Sequence, residues 1–246
     1  MNSDKFMLIF VCVIGFCFGE RDKVINFHDR IKYKDCDDVY RSGYNDSGSY
    51  TVYLNRSQPL KVYCRFESGI PAISIMQQKY GTVNFARGWY DYVNGFGSTA
   101  SDDYWSGLEH MKSLTDAGYH RLVVTLQDWK NIIKTIQYNY FVLGPANQRY
   151  PLHIGEYISS HILPDDFWHS NGMPFATIDV PDTRNCAVNM RAGWWYNYCT
   201  YALPTGRYYF GGPYTPSGSF YDGIFYSDWH GMGYSLKYIR MDLYHI

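Results

Sequence analysis

Four cysteines are the residues best placed to do chemistry in this chain. The sequence holds six, but Cys12 and Cys17 fall in a stretch that reads as removable, leaving Cys36, Cys64, Cys186 and Cys199. Such thiols either close disulfides or hold a metal. Structural zinc sites need paired ligands at short spacing, and the sequence has no C-x-x-C pair and no close Cys/His cluster. An even number in an oxidising compartment reads as a disulfide framework. Four cysteines allow three pairings. The simplest is local, Cys36 with Cys64 and Cys186 with Cys199, each closure stabilising the fold by roughly 3 kcal/mol in the chain-entropy model.

The other chemistry-bearing residues do not assemble into a catalytic pattern. The eight His are scattered and none sits in an H-E-x-x-H motif. There is no G-x-S-x-G and no triad spacing. Gly95-Phe96-Gly97-Ser98-Thr99-Ala100 fits G-x-G-x-x-A, but it follows a helical pattern rather than a strand. A secreted hydrolase is the least supported reading, and the protein reads as non-enzymatic.

Secretion itself is read from the N-terminus. Phe6 to Phe18 is thirteen residues without a charge, followed by Gly19 and then Glu20, Arg21, Asp22 and Lys23. That run is too short to span a bilayer, which needs about 20 residues. It fits a signal peptide at 1–19, cleaved after Gly19. A short polar lead, 20–34, follows, and the texture from Asp35 to Ile246 is even enough for one domain. Two glycosylation sequons, at Asn45 and Asn55, agree with a secreted surface. No later stretch is apolar enough to span a membrane.

Composition narrows the class. Seven Trp, 26 Tyr and 14 Phe make 19% of the 246 residues, and the formal net charge is −1. A nucleic-acid binder needs a basic surplus, and a disordered protein is poor in aromatics. Neither fits.

The elements that must position any site follow from periodicity. Tyr50 to Leu54 and Leu60 to Cys64 read as a hairpin around the turn-rich Asn55 to Pro59. His120, Leu122, Val124 and Leu126 share one face of a strand, and Ile136 to Leu143 is another. Leu236 and Tyr238 share a face before Ile239, Met241 and Leu243 take over, a slip that predicts a β-bulge or a change of face. Phe85, Trp89 and Tyr92 predict a helix stopped by Gly95. Ser101 is expected to open a second, with Asp102 and Asp103 in its first turn and Trp105, Leu108 and Met111 as its buried stripe. The region from Asp165 to Gly233 reads as long loops pinned by the Cys186–Cys199 bridge, the kind of region that carries binding sites.

The order of motifs resembles a fibrinogen C-terminal-like (fibrinogen-related) domain, the module of ficolins, tachylectins, angiopoietins and tenascins. The resemblance starts at Asp35-Cys36-Asp37-Asp38-Val39-Tyr40 and Val62-Tyr63-Cys64. It continues through Phe85-Ala86-Arg87-Gly88-Trp89-Tyr90-Asp91-Tyr92 and Tyr104-Trp105-Ser106-Gly107-Leu108-Glu109. It closes with Asn171-Gly172-Met173-Pro174-Phe175, Asn185-Cys186-Ala187, Gly193-Trp194-Trp195-Tyr196 and Tyr234-Ser235-Leu236-Lys237. It implies an α+β fold: a central antiparallel sheet with short helices, a loop-rich C-terminal part, and the two local disulfides. It also implies a secreted, non-catalytic recognition module. Lectin-like members bind acetylated sugars beside calcium, while others bind protein receptors or matrix.

Against that pattern, the segment that resembles the family's calcium loop keeps Asp179 and Asp182, puts Pro181 where a second liganding Asp is expected, and is about three residues short. Calcium takes six to eight oxygens. The competing reading is a surface turn set by Pro181 and capped by Asp182. The positions that resemble the sugar pocket are Met190, Tyr198, Thr200, Phe220 and Met232, which lack most of the polar groups that would orient an acetamido ligand. The resemblance also places a cis peptide at Tyr198–Cys199. Trp194, Trp195 and Tyr196 read as core beside the second disulfide rather than as a sugar platform.

The expected function is a secreted recognition module for an extracellular protein or matrix partner. The alternative is a glycan-binding lectin for acetylated sugars in innate recognition, which would call for a homo-oligomer because single-site sugar affinity is weak.

Overall fold

The computed structural model describes residues 32–54, 59–67, 69–98, 103–159 and 163–246. The signal-peptide segment, most of the lead, Asn55 and Ser101 lie outside the described residues.

The Cys36–Cys64 bridge sets the first layer. Helix α1 (Cys36–Arg41) starts where the Asp35 carboxylate accepts the Asp38 N–H at 2.8 Å. It packs beside a hairpin of β1 (Gly48–Val52) and β2 (Leu60–Arg65), as the alternation predicts. The bridge closes Cys36 of the helix onto Cys64 of β2. Tyr33 pairs with the end of β1, where its carbonyl accepts the Tyr53 N–H at 2.8 Å, so ordered pairing begins within the expected lead.

The sheet is antiparallel throughout. Its main path, among the described residues, runs β1, β2, β3 (Ala72–Gln78), β11 (Tyr238–Tyr244), β6 (Arg121–Gln127), β7 (Ile133–Leu143), β8 (Leu152–Ser159). Two short strands, β4 (Phe96–Ser98) and β5 (Asp103–Trp105), pair beside β3, and β9 (Ala202–Leu203) and β10 (Phe225–Tyr226) pair with each other apart from this path. Strand β3 is buried along its whole length, and β6 alternates so that Leu122, Val124 and Leu126 face the core. The irregularity expected in β11 is real but lies further along. The register against β3 shifts between Met241 and Asp242, which lets Asp242 turn inward between Arg65 and Arg240.

Two helix expectations need correction. Helix α2 begins at Trp89 and runs to Asn94 with Gly95 (φ 91°) at its end, so Phe85 precedes it. Tyr92 still reaches back, its hydroxyl donating to the Phe85 carbonyl at 2.8 Å. Asp103 and Trp105 are on strand β5, not in a helical first turn. The Asp103 carboxylate is buried because the turn after β3 needs it: it accepts the N–H groups of Lys79, Tyr80 and Thr82 and the Thr82 hydroxyl. Helix α3 (Leu108–Asp116) starts later and buries Leu108, Met111 and Leu114.

Aromatic rings join sheet to loops. Phe175 contacts Tyr92 (5.1 Å between centroids), Trp105 (5.8 Å) and Trp195 (4.9 Å), and Trp195 meets Trp194 at 5.0 Å. Each indole N–H finds an acceptor: Trp105 donates to the Tyr92 carbonyl, Trp194 to the Ser170 hydroxyl, Trp195 to the Tyr150 carbonyl. Trp194, Trp195 and Tyr196 are buried, as the core reading expects.

Candidate functional site

The loops from 163 to 236 contain little regular structure, so bridges and hydrogen bonds position their side chains. Ala176 and Trp194 exchange main-chain hydrogen bonds at 3.0 and 3.1 Å, closing the loop that contains Asp179 and Asp182. Within it, the Thr177 hydroxyl donates to Asp179 Oδ1 at 2.7 Å, and the Trp89 N–H donates to the same oxygen at 2.7 Å. Burial pushes the Asp179 carboxyl upward, but these hydrogen bonds outweigh it and hold the group below its ordinary value. The Asp182 carboxylate accepts the N–H groups of Arg184 and Ala187, each at 3.0 Å, and so caps the start of α4 (Cys186–Asn189).

Both carboxylates therefore serve the backbone, and among the described residues no group of three or more His, Cys, Asp or Glu side chains converges as a metal site. Two acids already accepting hydrogen bonds do not supply the oxygen set that calcium needs.

Helix α4 carries Cys186 to Cys199, the second disulfide. Across it, Tyr198 (φ 49°) and Cys199 (φ 68°) both sit in the left-handed region. The expected cis bond is not there: the Tyr198–Cys199 peptide is trans. The consecutive left-handed residues make the reversal instead, with the Asn197 N–H donating to the Cys199 carbonyl at 2.9 Å. The turn throws Tyr198 outward, 70% exposed, with the Arg184 guanidinium over its ring at 3.6 Å.

Met190, Tyr198, Thr200, Phe220 and Met232 all line one cleft of about 300 Å³. The sequence reading missed four further lining residues: His169, Tyr201, Ser219 and Tyr221. They come from segments with no periodicity; Tyr201 beside Thr200, and Ser219 and Tyr221 on either side of Phe220, were signalled only by adjacency, and His169 by nothing. Thr200 brings little polarity to the opening, because its buried hydroxyl donates to the Ala202 carbonyl at 2.7 Å. Met190 is buried, whereas Tyr201, Phe220 and Tyr221 stand exposed. His169 lies edge-on to Tyr201 at 4.9 Å and to Trp168 at 5.0 Å. Its Nδ1 is shut off from solvent with no hydrogen-bond partner. No Asp, Glu, Lys or Arg lines the cleft among the described residues.

Residues 32–245 match the family model for the C-terminal globular domain of the fibrinogen beta and gamma chains. The protein belongs to that family. Fibrinogen-like protein 1 of Bos taurus is 33% identical over 240 residues, covering 92% of this chain and 76% of the relative. Among solved structures, the fibrinogen-like globe domain of human ANGPTL2 superposes at a TM-score of 0.80 with 33% identity, covering 86% of this chain and 98% of that one. Lamprey fibrin D-dimer, solved with the peptide ligand Gly-His-Arg-Pro-amide, gives a TM-score of 0.78 at 33% identity, covering 87% and 74%. Fibrinogen-like and angiopoietin-related proteins are non-enzymatic recognition modules, and membership carries that character to this domain. The match begins at residue 32, three residues before the expected boundary and at the point where Tyr33 starts to pair. No helix among the described residues is long and apolar enough to cross a membrane.

Proposed function

We propose that this protein is a secreted recognition module whose cleft receives an apolar side chain of an extracellular protein or matrix partner. The observation that carries this reading is the cleft's chemistry: Met232 and the buried Met190 within a mouth rimmed by exposed Tyr198, Tyr201, Phe220 and Tyr221, with the Thr200 hydroxyl turned inward and Ser219 the other small polar residue of the lining. Rigid aromatics around a small apolar recess make a protein-binding hot spot. The lamprey structure supports a peptide as the ligand class, since a similar fold accepts one. With no carboxylate lining the cleft among the described residues, an uncharged anchor is favoured over a cationic one. Secretion is supported by the two disulfides and by the uncharged run at the N-terminus. The exposed Asn45 is available for glycosylation there.

Methyl NMR tests the site, with Met190 and Met232 as probes. Short peptides ending in Leu or Phe should shift both signals, and Tyr198→Ala should weaken the effect. Shifts produced by N-acetylglucosamine with calcium, and by no peptide, would replace this reading with the lectin one.

A further inference from the structure

A second set of recesses, sharing no lining residue with that cleft, combines exposed aromatics with cations that have no carboxylate partner among the described residues. Trp129, Tyr208 and Phe210 form a mutual cluster, with centroid distances of 6.1 Å (Trp129–Tyr208), 6.0 Å (Trp129–Phe210) and 5.0 Å (Tyr208–Phe210). With Tyr80 and Lys237 they line a groove of about 500 Å³. Phe210 is 74% exposed and Tyr80 is 50% exposed. Large rings held this far into solvent are not contributing to the core.

The groove is preorganised. The Trp129 indole N–H donates to the Ser235 carbonyl at 2.9 Å, and its main-chain N–H donates to the Tyr234 hydroxyl at 3.0 Å. The Tyr208 hydroxyl is shared between the carbonyls of Lys79 (2.9 Å) and Lys237 (2.8 Å). Gly81 (φ +68°) lets the turn approach that ring, since a Cβ there would meet it at 2.8 Å. Walls fixed in this way lose little entropy when a ligand binds.

Charge says what kind of ligand fits. Tyr208 also borders a polar cleft of about 460 Å³ lined by Arg191 and Arg207, so the two recesses adjoin. Arg191 and Arg207 are exposed and have no carboxylate partner among the described residues, and the Lys237 ammonium meets the neutral Asn131 side chain at 2.6 Å. No Asp or Glu lines either recess among the described residues. Asp103, whose charge acts on Tyr208, is buried and spent on four hydrogen bonds. Flat aromatic walls beside unpaired guanidinium and ammonium groups complement a string of pyranose rings carrying carboxylates or sulfates. The rings lay apolar C–H faces on the aromatics, and the anions meet Arg191, Arg207 and Lys237. An acidic peptide fits less well. Gln127 and Tyr238, the strand residues in the groove, are already paired with each other, so no open strand edge is offered to a peptide backbone.

We infer that the face formed by Trp129, Tyr208, Phe210, Arg191, Arg207 and Lys237 binds an acidic oligosaccharide, separately from the apolar cleft.

The test measures binding of the intact secreted protein to a heparin octasaccharide, a hyaluronan octasaccharide, neutral chitohexaose and a poly-glutamate peptide by titration calorimetry at two salt concentrations. Binding is expected for one or both acidic saccharides, weaker at higher salt, and absent for chitohexaose and the peptide. The heparin and hyaluronan arms separate sulfate from carboxylate recognition. Phe210→Ala and Arg207→Gln alter exposed side chains and should each weaken binding by about 2- to 5-fold, while Tyr198→Ala in the other cleft should leave it unchanged. Binding of none of the four, preference for the peptide, or equal affinity in the parent and both variants would overturn the inference. Retention of the parental melting temperature by each variant excludes misfolding as the cause of a loss.

Discussion

Asp179 Oδ1 accepts the Trp89 main-chain N–H at 2.7 Å, tying the first residue of α2 to the loop that leads into α4. Gly88 makes the approach feasible, because a Cβ there would lie 2.6 Å from Asp179 Oδ2. The acid that the resemblance offers to calcium instead caps a helix whose own N-cap residue, Gly88, has no side chain with which to do so. Asp179→Ala should lower stability by about 0.5–1 kcal/mol, at the low end for caps because the carboxylate is exposed and screened. The folded carboxyl lies below its ordinary value of 3.8, so its contribution is fully present above that value. It is lost as the pH falls through the lower folded value, and denaturant melts at pH 7 and pH 2.5 check both the size and the direction. An unchanged midpoint at pH 7 would contradict the capping role.

Calcium should therefore do little. With Asp179 and Asp182 both accepting backbone N–H groups, neither millimolar calcium nor EDTA should move the melting temperature by more than about 1 °C, because a ligand stabilises only in proportion to its binding. N-acetylglucosamine should add nothing. A rise of several degrees in calcium, extended by the sugar, would restore the lectin reading.

What the sequence showed and what it hid divide along physical lines. Local alternation marked β1, β2, β6 and β7, and the even cysteine count with the family resemblance indicated the pairings. Asp103 was hidden because its partners Lys79, Tyr80 and Thr82 lie more than twenty positions away. A helix-start pattern cannot reveal a carboxylate recruited by a distant turn. Of the five expected cleft residues, Met190 and Tyr198 lie inside the loop closed by the Cys186–Cys199 bridge and Thr200 directly follows it, whereas Phe220 and Met232 arrive from later loops. Tyr221 simply follows Phe220, whereas His169 joins them from a stretch without any period, so only the tertiary fold could place it. The exposed groove of Tyr80, Trp129, Tyr208 and Phe210 combines separate segments and left no local mark either.

The second disulfide should dominate the stability of the loop region. Cys186 is fully buried, and its bridge fixes the Tyr198–Cys199 reversal that shapes the cleft. Cys199→Ser should cost about 2–5 kcal/mol, which for a domain of this size is a fall of about 5–15 °C in melting temperature. Yield in the culture medium should fall with it. Normal secretion with an unchanged melting temperature would show that the bridge does not support the fold.

The acid limb of the stability curve should carry the mark of His110. The ring sits on α3 with Nε2 shut off from solvent and without a hydrogen-bond partner. Burial pushes its pKa down to about 4 from 6.5, against an opposing hydrogen bond at the Ser106 backbone. Below about pH 6.5 the unfolded protein takes up a proton that the folded ring refuses, so stability falls as the pH drops toward 4. At pH 5.5 the loss from this residue is about 1 kcal/mol. Asp166 works in the opposite sense. Burial beside Asp228 pushes its carboxyl up to about 7, against the N–H that Asp228 donates, so acidification over the same range adds stability there. The parent's net slope mixes the two, and the difference between parent and His110→Gln isolates the histidine. The variant should lose less stability than the parent between pH 7 and pH 5.5, by about 1 kcal/mol. Identical slopes in urea melts of the two proteins would show that His110 protonates as readily in the folded protein as in the unfolded one.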